Sequence, residues 1–175
     1  MHDEWRKIKP TQWTENVFRA IGEEWVLITA GNTSEFNTMT ASWGTLGILW
    51  SRPVVICFVR PTRYTFNFME KSETFSVSFF NEKHKDILNY CGTHSGRDVN
   101  KPAETGLIPE KFELQEGGEV IGFSQSRLVI CCRKLYSQEM KEENFIDKSL
   151  VEDIYSKKDF HKVYVGEIDS CFTKE

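Results

Sequence analysis

The sequence predicts a mainly β domain, an antiparallel barrel with peripheral helices, and three observations carry this prediction. Apolar residues recur in short runs typical of strands, and few segments have the longer period of an amphipathic helix. Strands and helices do not follow the regular alternation of a doubly wound α/β fold. Aromatic residues make up 13% of the chain, which favours sheets and pockets for flat ligands over helical bundles.

Length and composition fit one globular domain spanning residues 1–175, with residues 1–23 as a helical lead-in. The 175 residues can bury enough surface to need neither disulfides nor a structural metal. Hydrophobic and charged residues stand at 39% and 27%, which is a globular profile. No repeat, low-complexity tract or long linker divides the chain, so we expect a single domain.

Charge, hydropathy and cysteine content limit the classes of binding partner and the cellular compartment that we expect for this protein. The net charge of −4 argues against a broad nucleic-acid surface, and no apolar run approaches the ~20 residues of a membrane span. The five cysteines are an odd number, and the charged N-terminus has no apolar signal segment. These features predict a cytoplasmic protein with reduced thiols, bound neither to nucleic acid nor to a membrane.

Several runs are predicted as strands. Residues 54–59 form a continuous apolar run that we expect to be buried on both faces, whereas residues 75–80 alternate with serines and are expected to be half-buried. Glycines interrupt the run at 37–50, which predicts a bend or a strand pair. The remaining strands are predicted at 25–30, 128–136 and 163–168.

Three helices are predicted between the strands. Trp13, Val17 and Ile21 have helical spacing near the N-terminus. A second helix is expected after residue 60 with Thr62 as its cap, and a third is expected from His84, Ile87, Leu88 and Cys91. Residues 92–120 are rich in glycine and proline and are predicted as loop, and residues 139–159 form a charged excursion.

The densest polar cluster lies on the strand at 37–44, with the sequence NTMTASWG. Alternation along the strand puts three hydroxyl side chains on one face, namely Thr38, Thr40 and Ser42. The opposite face carries Asn37, Met39, Ala41 and Trp43. Small hydrogen-bonding side chains let a flat polar ring approach the backbone. A polar strand facing solvent at the mouth of a barrel would give the same pattern.

Two further clusters are basic. The segment RPTRYT at 60–65 lies where a buried strand leads into a helix, so free N–H groups, the helix dipole, Arg60 and Arg63 favour a phosphate there. A capped helix with solvated arginines is the alternative. The loop that contains Ser95, Arg97 and Lys101 is the other cluster, for which the spacing alone favours a solvated turn.

Metal and thiol chemistry are not favoured by the spacing. Cys91 and His94 have ligand-like spacing, but no second compact pair follows, so no metal site is predicted. Cys131 and Cys132 point to opposite faces of one predicted strand, which indicates buried structural thiols rather than a redox pair.

Five segments, in order, resemble the flavin reductase-like, flavoredoxin-type family. They are NTMTASWG at 37–44, RPTRYT at 60–65, FSVSFF at 75–80, SGRDVNK at 95–101 and HKVYVGEI at 161–168. The resemblance extends over nearly the whole chain. It implies a single flavin reductase-like domain with the antiparallel FMN-binding split β-barrel fold, which dimerises and holds flavin mononucleotide (FMN) without a covalent link.

The resemblance also implies roles for individual residues. The strand from Asn37 to Trp43 would line the isoalloxazine ring and the ribityl chain. The phosphate end would be faced by Arg63, Tyr64 and Thr65, with Arg60 and Ser95 near the cofactor. Lys101 or Arg97 would counter the negative charge that develops near N1 on reduction.

Two positions qualify this assignment. Asn100 stands where the family's loop is expected to have Asp, which weakens any role for a carboxylate there. His161 could contact the flavin or a partner subunit, or satisfy a buried carbonyl. No catalytic side chain is implied, because the flavin itself accepts the hydride.

The implied function is an FMN-dependent oxidoreductase that takes hydride from a nicotinamide dinucleotide. No glycine-rich dinucleotide fingerprint is present, so the donor would stack on the flavin in an open cleft. A flavoredoxin-type carrier that exchanges electrons with a redox protein is one alternative, and a split barrel that binds haem or a deazaflavin is another. A homodimer is implied by the family, and we expect Trp43, Trp50 and Phe80 to exceed what one barrel can bury.

Overall fold

The computed structural model describes residues 4–174, so the ends of the predicted domain, residues 1–3 and 175, lie outside the described residues. The described chain contains these strands and α-helices, in order: β1 (Arg6–Ile8), α1 (Val17–Gly22), β2 (Val26–Gly31), β3 (Phe36–Ala41), β4 (Gly44–Leu49), β5 (Arg52–Val59), α2 (Thr65–Lys71), β6 (Thr74–Phe79), α3 (Lys85–Thr93), α4 (Lys101–Thr105), β7 (Pro109–Glu113), β8 (Glu119–Phe123), β9 (Leu128–Glu139), α5 (Ser149–Ile154) and β10 (Lys162–Thr173).

The main sheet is antiparallel and has the order β3-β2-β6-β9-β10-β5-β4, with β1 paired to β10. Its two end strands, β3 and β4, are consecutive in the chain and are joined only by Ser42 and Trp43. Side chains from β2, β3, β5, β6, β9 and β10 meet in one apolar core that includes Phe75, Phe79 and Tyr164. The sheet therefore curls into a barrel, which confirms the predicted antiparallel split barrel with peripheral helices.

Two strands differ from their predicted burial. β6 is buried on both faces, because the separate β7–β8 hairpin covers the face with the serines, and the Ser76 hydroxyl donates to the Ile121 carbonyl at 2.5 Å. Most of that hairpin lies in the region 92–120 that was predicted as loop. In β5 the prediction of burial on both faces is wrong, since Ile56 and Phe58 remain half-buried on the outward face.

The helices also differ in part from their predicted positions. Trp13 lies outside α1, and the predicted helical lead-in contains the strand β1 and a short 3₁₀ turn at Pro10–Gln12. Thr62 does not cap α2, which begins at Thr65 with Tyr64 in the cap position and no side-chain cap bond. The helix predicted from His84 to Cys91 is present as α3, with Leu88 and Cys91 buried.

The remaining expectations concern aromatics, thiols and membranes. Phe80 is buried beside Phe123 and contributes nothing to an exposed aromatic surface, contrary to the prediction. All five cysteines are free and buried, and burial raises the pKa of Cys57 to about 12. No helix within residues 4–174 has the length and apolar character needed to cross a membrane.

Candidate functional site

A cavity of about 220 Å³ opens along the C-terminal half of β3 and is called the β3 cavity here. Its lining comes from the turn after β3, from the end of β5, from the turn before α2 and from the start of β10, namely Met39, Thr40, Ala41, Ser42, Trp43, Phe58, Arg60, Arg63 and His161. Eight of these nine residues belong to the clusters that the sequence singled out. The polar strand, the basic turn and His161 are therefore brought together in space.

The polar strand divides into two halves with different partners. In the N-terminal half, the Asn37 amide donates to the Thr65 hydroxyl at 2.7 Å, and the Thr38 hydroxyl pairs with that of Thr29 at 2.9 Å. In the C-terminal half, Thr40 donates to the Leu88 carbonyl, whereas the Ser42 hydroxyl makes no hydrogen bond to residues 4–174. Ser42 is therefore available to a ligand in the β3 cavity.

The free edge of β3 adds backbone groups to the same site. Among residues 4–174, β3 pairs only with β2, and Lys101 binds the Thr38 carbonyl on the opposite edge. In an antiparallel strand, the N–H and C=O of one residue point to the same side, and alternate residues share that side. The backbone groups of Thr40 therefore face outward at the β3 cavity, where a flat polar ring could pair with them.

Arg63 is the cation with spare hydrogen-bonding capacity in the β3 cavity. Its Nη1 donates to the Gly92 carbonyl at 2.8 Å, and no carboxylate among residues 4–174 pairs with it. Burial lowers the pKa of the Arg63 guanidinium, but an arginine keeps its charge in proteins. A guanidinium that is partly desolvated and has unused donors is suited to bind a phosphate.

Arg60, by contrast, is occupied. Its Nη1 forms a 2.6 Å ion pair with Asp159, its Nη2 donates to the Ile154 carbonyl at 3.2 Å, and its guanidinium lies 5.2 Å from the Tyr155 ring centroid. These contacts tie the end of β5 to the segment that follows α5. Arg60 lines the β3 cavity, but its charge is already balanced by Asp159.

The start of α2 has fewer free backbone donors than the sequence predicted, because local bonds satisfy some of them. The N–H groups of Arg63, Phe66 and Asn67 donate to the carbonyls of Arg60, Arg63 and Tyr64. The chain turns twice before the helix begins, so local bonds satisfy donors that a direct strand-to-helix transition would leave open. The Arg63 side chain, with unused guanidinium donors, is therefore the main anion-binding group that we identify at this corner.

His161 forms one wall of the β3 cavity and is 8% exposed. Its Nδ1 lies 2.7 Å from the Tyr155 hydroxyl, and its ring centroid lies 5.3 Å from that of Trp43. Burial, with the nearby Arg60 charge, lowers the pKa of His161 to about 4, although Asp159 opposes this shift. The imidazole is therefore neutral near pH 7.

A second cleft of about 510 Å³ lies along the N-terminal half of β3 and is called the 96–101 cleft. Predicted site residues Asn37, Thr38, Tyr64, Arg97 and Lys101 line it. The guanidinium of Arg97 lies 5.0 Å from the Tyr64 ring centroid and donates to the Thr62 carbonyl at 3.3 Å. The structure thus separates these residues from the β3 cavity.

Lys101 is held inside the protein. Its Nζ donates to the carbonyls of Thr38 and Cys91, each at 2.7 Å, and the residue is 3% exposed. Burial lowers the pKa of Lys101 to about 8, with Arg63 adding to the effect and Cys91 opposing it. Lys101 thus joins β3 to α3 rather than extending into the β3 cavity.

Three other residues from the basic clusters have structural contacts. Thr65 is buried and accepts the bond from Asn37, and the Ser95 hydroxyl accepts from the Arg97 N–H at 3.2 Å. Asn100 caps α4 by accepting from the Ala103 N–H at 3.2 Å. Asx side chains commonly occupy this position, so the Asn found in place of the expected Asp can make the same cap.

Sequence reasoning missed Phe58 and Tyr155. Phe58 could have been found by treating the end of the run at 54–59 as alternating, because Ile56 and Phe58 are less buried than their neighbours. Tyr155 lies in the charged excursion, where nothing in the local pattern distinguishes it. Chemically, the β3 cavity offers an aromatic wall, a free hydroxyl, edge backbone groups, a spare guanidinium and a neutral imidazole.

Comparisons with known proteins agree with this architecture. A family model described as "Flavin reductase like domain" matches residues 18–175. No curated protein matches the chain at a significant level.

Solved structures with the same fold include a flavoredoxin from Methanosarcina acetivorans, which is 22% identical with a TM-score of 0.65 and aligns over 87% of this chain and 69% of its own. An FMN-binding domain of a flavin reductases-like enzyme from Shewanella baltica is 14% identical with a TM-score of 0.68, over 99% and 79% of the two chains. An NADH:FAD oxidoreductase from Streptomyces globisporus is 18% identical with a TM-score of 0.59, over 87% and 74%.

These identities are low and show the fold alone, whereas the family model extends over most of the chain. With its split barrel, this protein belongs to the flavin reductase-like family.

Proposed function

We propose that the β3 cavity binds FMN and that the protein is an oxidoreductase in which the flavin carries out the redox chemistry. The observation that carries this proposal is the spare guanidinium of Arg63 in a cavity that aromatic and hydroxyl side chains also line. FMN has a phosphate at one end and a flat polar ring at the other, so its two ends match these two environments. When bound, the flavin would supply hydride or electron transfer.

The residues of the chain would bind and orient this cofactor. Arg63 would pair with the phosphate, and Ser42 with the backbone groups of Thr40 would bind polar atoms of the ring or ribityl chain. Trp43 and Phe58 would cover apolar ring surface. Arg60 would contribute less than Arg63, because Asp159 already neutralises it.

The first experiment measures FMN and riboflavin affinities by quenching of flavin fluorescence. Replacing Arg63→Ala should weaken FMN binding about 30-fold, since a charge-assisted hydrogen bond contributes about 2 kcal/mol. Riboflavin lacks the phosphate, so its affinity should barely change in the same variant. Equal losses for both ligands, or no loss for FMN, would remove the phosphate assignment.

Arg133→Ala is the matched control for that experiment. Arg133 also donates to a glycine carbonyl, that of Gly117 at 2.8 Å, but it does not line the β3 cavity. Its replacement should leave both affinities unchanged.

The absorption spectrum of the purified protein tests the cofactor class directly, because haem, a deazaflavin and FMN differ in their visible bands.

We propose a nicotinamide dinucleotide as the hydride donor, in line with the NADH:FAD oxidoreductase among the structural neighbours. An electron carrier is the second candidate, and half-exposed Trp43 at the edge of the β3 cavity favours it, because electrons could leave the flavin there toward a protein partner. Steady-state oxidation of NADH or NADPH with excess FMN separates the two. Sustained turnover supports the enzyme, and a stoichiometric exchange that stops supports the carrier.

We also propose that the protein is a cytoplasmic homodimer. Five free thiols support a reducing compartment. Trp50 is 57% exposed, Ile48 is 72% exposed, and both lie at or next to β4, an end strand of the sheet that adjoins Trp43. Replacing Trp50→Glu should shift the sedimentation of the protein from dimer to monomer, whereas Ile108→Glu, on an exposed residue away from β4, should not.

A further inference from the structure

One buried tyrosine, Tyr155, contacts His161 from outside the β3 cavity. The Tyr155 hydroxyl lies 2.7 Å from Nδ1 of His161, and Tyr155 is 4% exposed. Its ring packs against Phe145 and Phe160, at centroid distances of 5.6 and 4.8 Å. The tyrosine is therefore fixed in place, and its hydroxyl has a defined relation to the imidazole.

The surroundings of the hydroxyl decide which group donates. The other acceptor near it is the sulfur of Met140 at 3.6 Å, and a thioether is a weak acceptor. Among residues 4–174, Nδ1 of His161 is therefore the better acceptor for the Tyr155 hydroxyl, and the phenol proton goes to that nitrogen.

The protonation of the second ring nitrogen of His161, Nε2, follows from that of Nδ1. A neutral imidazole carries one proton, so an Nδ1 that accepts leaves the proton on Nε2. Nε2 makes no hydrogen bond to residues 4–174, and it is not among the buried unpaired polar atoms of this part of the chain. Because His161 lines the β3 cavity, its Nε2–H is open toward that cavity.

We propose that Tyr155 is a positioning residue that fixes His161 as the neutral Nε2–H tautomer, so that the β3 cavity presents an uncharged N–H donor to an acceptor atom of the flavin. The ligand named here rests on the proposed function, whereas the tautomer does not. An uncharged donor orients a ring carbonyl or ring nitrogen without adding a second full charge beside Arg63.

The charged groups around the pair keep the imidazole neutral. Arg60 and Asp159 are the ionised side chains that act on His161, and Arg60 also lies over the Tyr155 ring. Burial and Arg60 together outweigh Asp159 and lower the pKa of His161 to about 4. Tyr155 in turn is protonated at neutral pH, because burial raises its pKa.

The tautomer can be read from the imidazole ¹⁵N resonances of protein labelled at histidine, with His161→Gln to assign the signals. The flavin-free protein should show Nδ1 unprotonated and Nε2 protonated. Tyr155→Phe keeps the ring and removes the hydroxyl that holds Nδ1 as an acceptor, so a mixture of the two tautomers should appear in that variant. A wild-type signal with the proton on Nδ1, or an unchanged signal in Tyr155→Phe, overturns the proposal.

FMN titration of the same variants tests the consequence. Tyr155→Phe should weaken FMN about fivefold, the effect of one misdirected neutral hydrogen bond. Tyr164→Phe is the control, because Tyr164 is another buried tyrosine whose hydroxyl binds Glu70 and which does not line the β3 cavity. Equal losses in both variants overturn the positioning role. If wild-type protein ignores FMN while its tautomer is the expected one, the proposed function fails and the tautomer assignment stands.

Discussion

The two halves of the polar segment at 37–44, which comprises most of β3 and the turn after it, carry similar polar side chains but differ in which groups satisfy them. Asn37 and Thr38 are bonded to Thr65 and Thr29 inside the protein. Ser42, at the other end, has no partner among residues 4–174, and the neighbouring Arg63 has donors to spare. A similar contrast separates two cations near β3, since Lys101 is held by two carbonyls and Arg63 by one. Available donors, rather than polar residues as such, mark the binding site.

The largest effect that tests this contrast is expected at Lys101. Replacing Lys101→Met leaves the buried carbonyls of Thr38 and Cys91 without their donor, which should lower the free energy of unfolding by about 3 kcal/mol. Urea denaturation measures this loss, and Lys71→Met at an exposed position is the control. The affinity for FMN should stay the same in the folded variant. A clear loss of affinity would instead support the sequence-based role of Lys101 at the flavin.

The pH dependence of stability should be the next largest effect. Burial lowers the pKa of His161 to about 4 in the folded protein, below its ordinary value of 6.5 in the unfolded chain. The unfolded state therefore binds the proton first, and the stability present above pH 6.5 is lost as the pH falls toward 4. Between pH 7 and pH 5 this loss should be about 2 kcal/mol.

The comparison with His161→Gln isolates that contribution, since glutamine does not titrate. The difference in unfolding free energy between wild type and His161→Gln should shrink by the same amount as the pH is lowered from 7 to 5. A constant difference across this range would show that His161 titrates normally and is exposed to solvent when folded.

A smaller effect is expected in the N-terminal half of β3. Thr38→Val preserves the shape of the side chain but removes the acceptor of the buried Thr29 hydroxyl. The free energy of unfolding should fall by about 1.5 kcal/mol, and FMN affinity should be unchanged. Denaturation and flavin titration of one preparation give both values. Weaker flavin binding without a loss of stability would place Thr38 at the ligand.

The sequence predicted the barrel and identified the segments that line the β3 cavity, because strand periodicity and charge are local properties. It could not predict which hydroxyl groups are already satisfied. Thr38 and Ser42 have the same position in the alternation, yet only the packing of β2 against β3 decides that Thr38 is bonded. The two-faced burial of β6 was missed for a related reason, since the hairpin that covers it comes from a distant part of the chain.

The site itself was predictable as a set of segments and not as a set of contacts. Arg60 and Arg63 are equivalent as residues of one turn, and the ion pair that occupies Arg60 comes from Asp159, almost a hundred positions later. Tyr155 is another contribution from that same excursion. Long-range pairing of this kind leaves no trace in local spacing, and it decides which of two similar side chains remains available.

The smallest effect is expected at Ser42, and it completes the comparison along β3. Ser42→Ala removes a hydroxyl that has no partner among residues 4–174, so stability should change by less than about 0.5 kcal/mol. FMN affinity should fall about fivefold, the contribution of one neutral hydrogen bond. Thr38→Val and Ser42→Ala would then have opposite profiles, one affecting stability alone and the other binding alone. If Ser42→Ala binds FMN as tightly as wild type, the free hydroxyl faces solvent, and the C-terminal half of β3 contributes only backbone groups to the site.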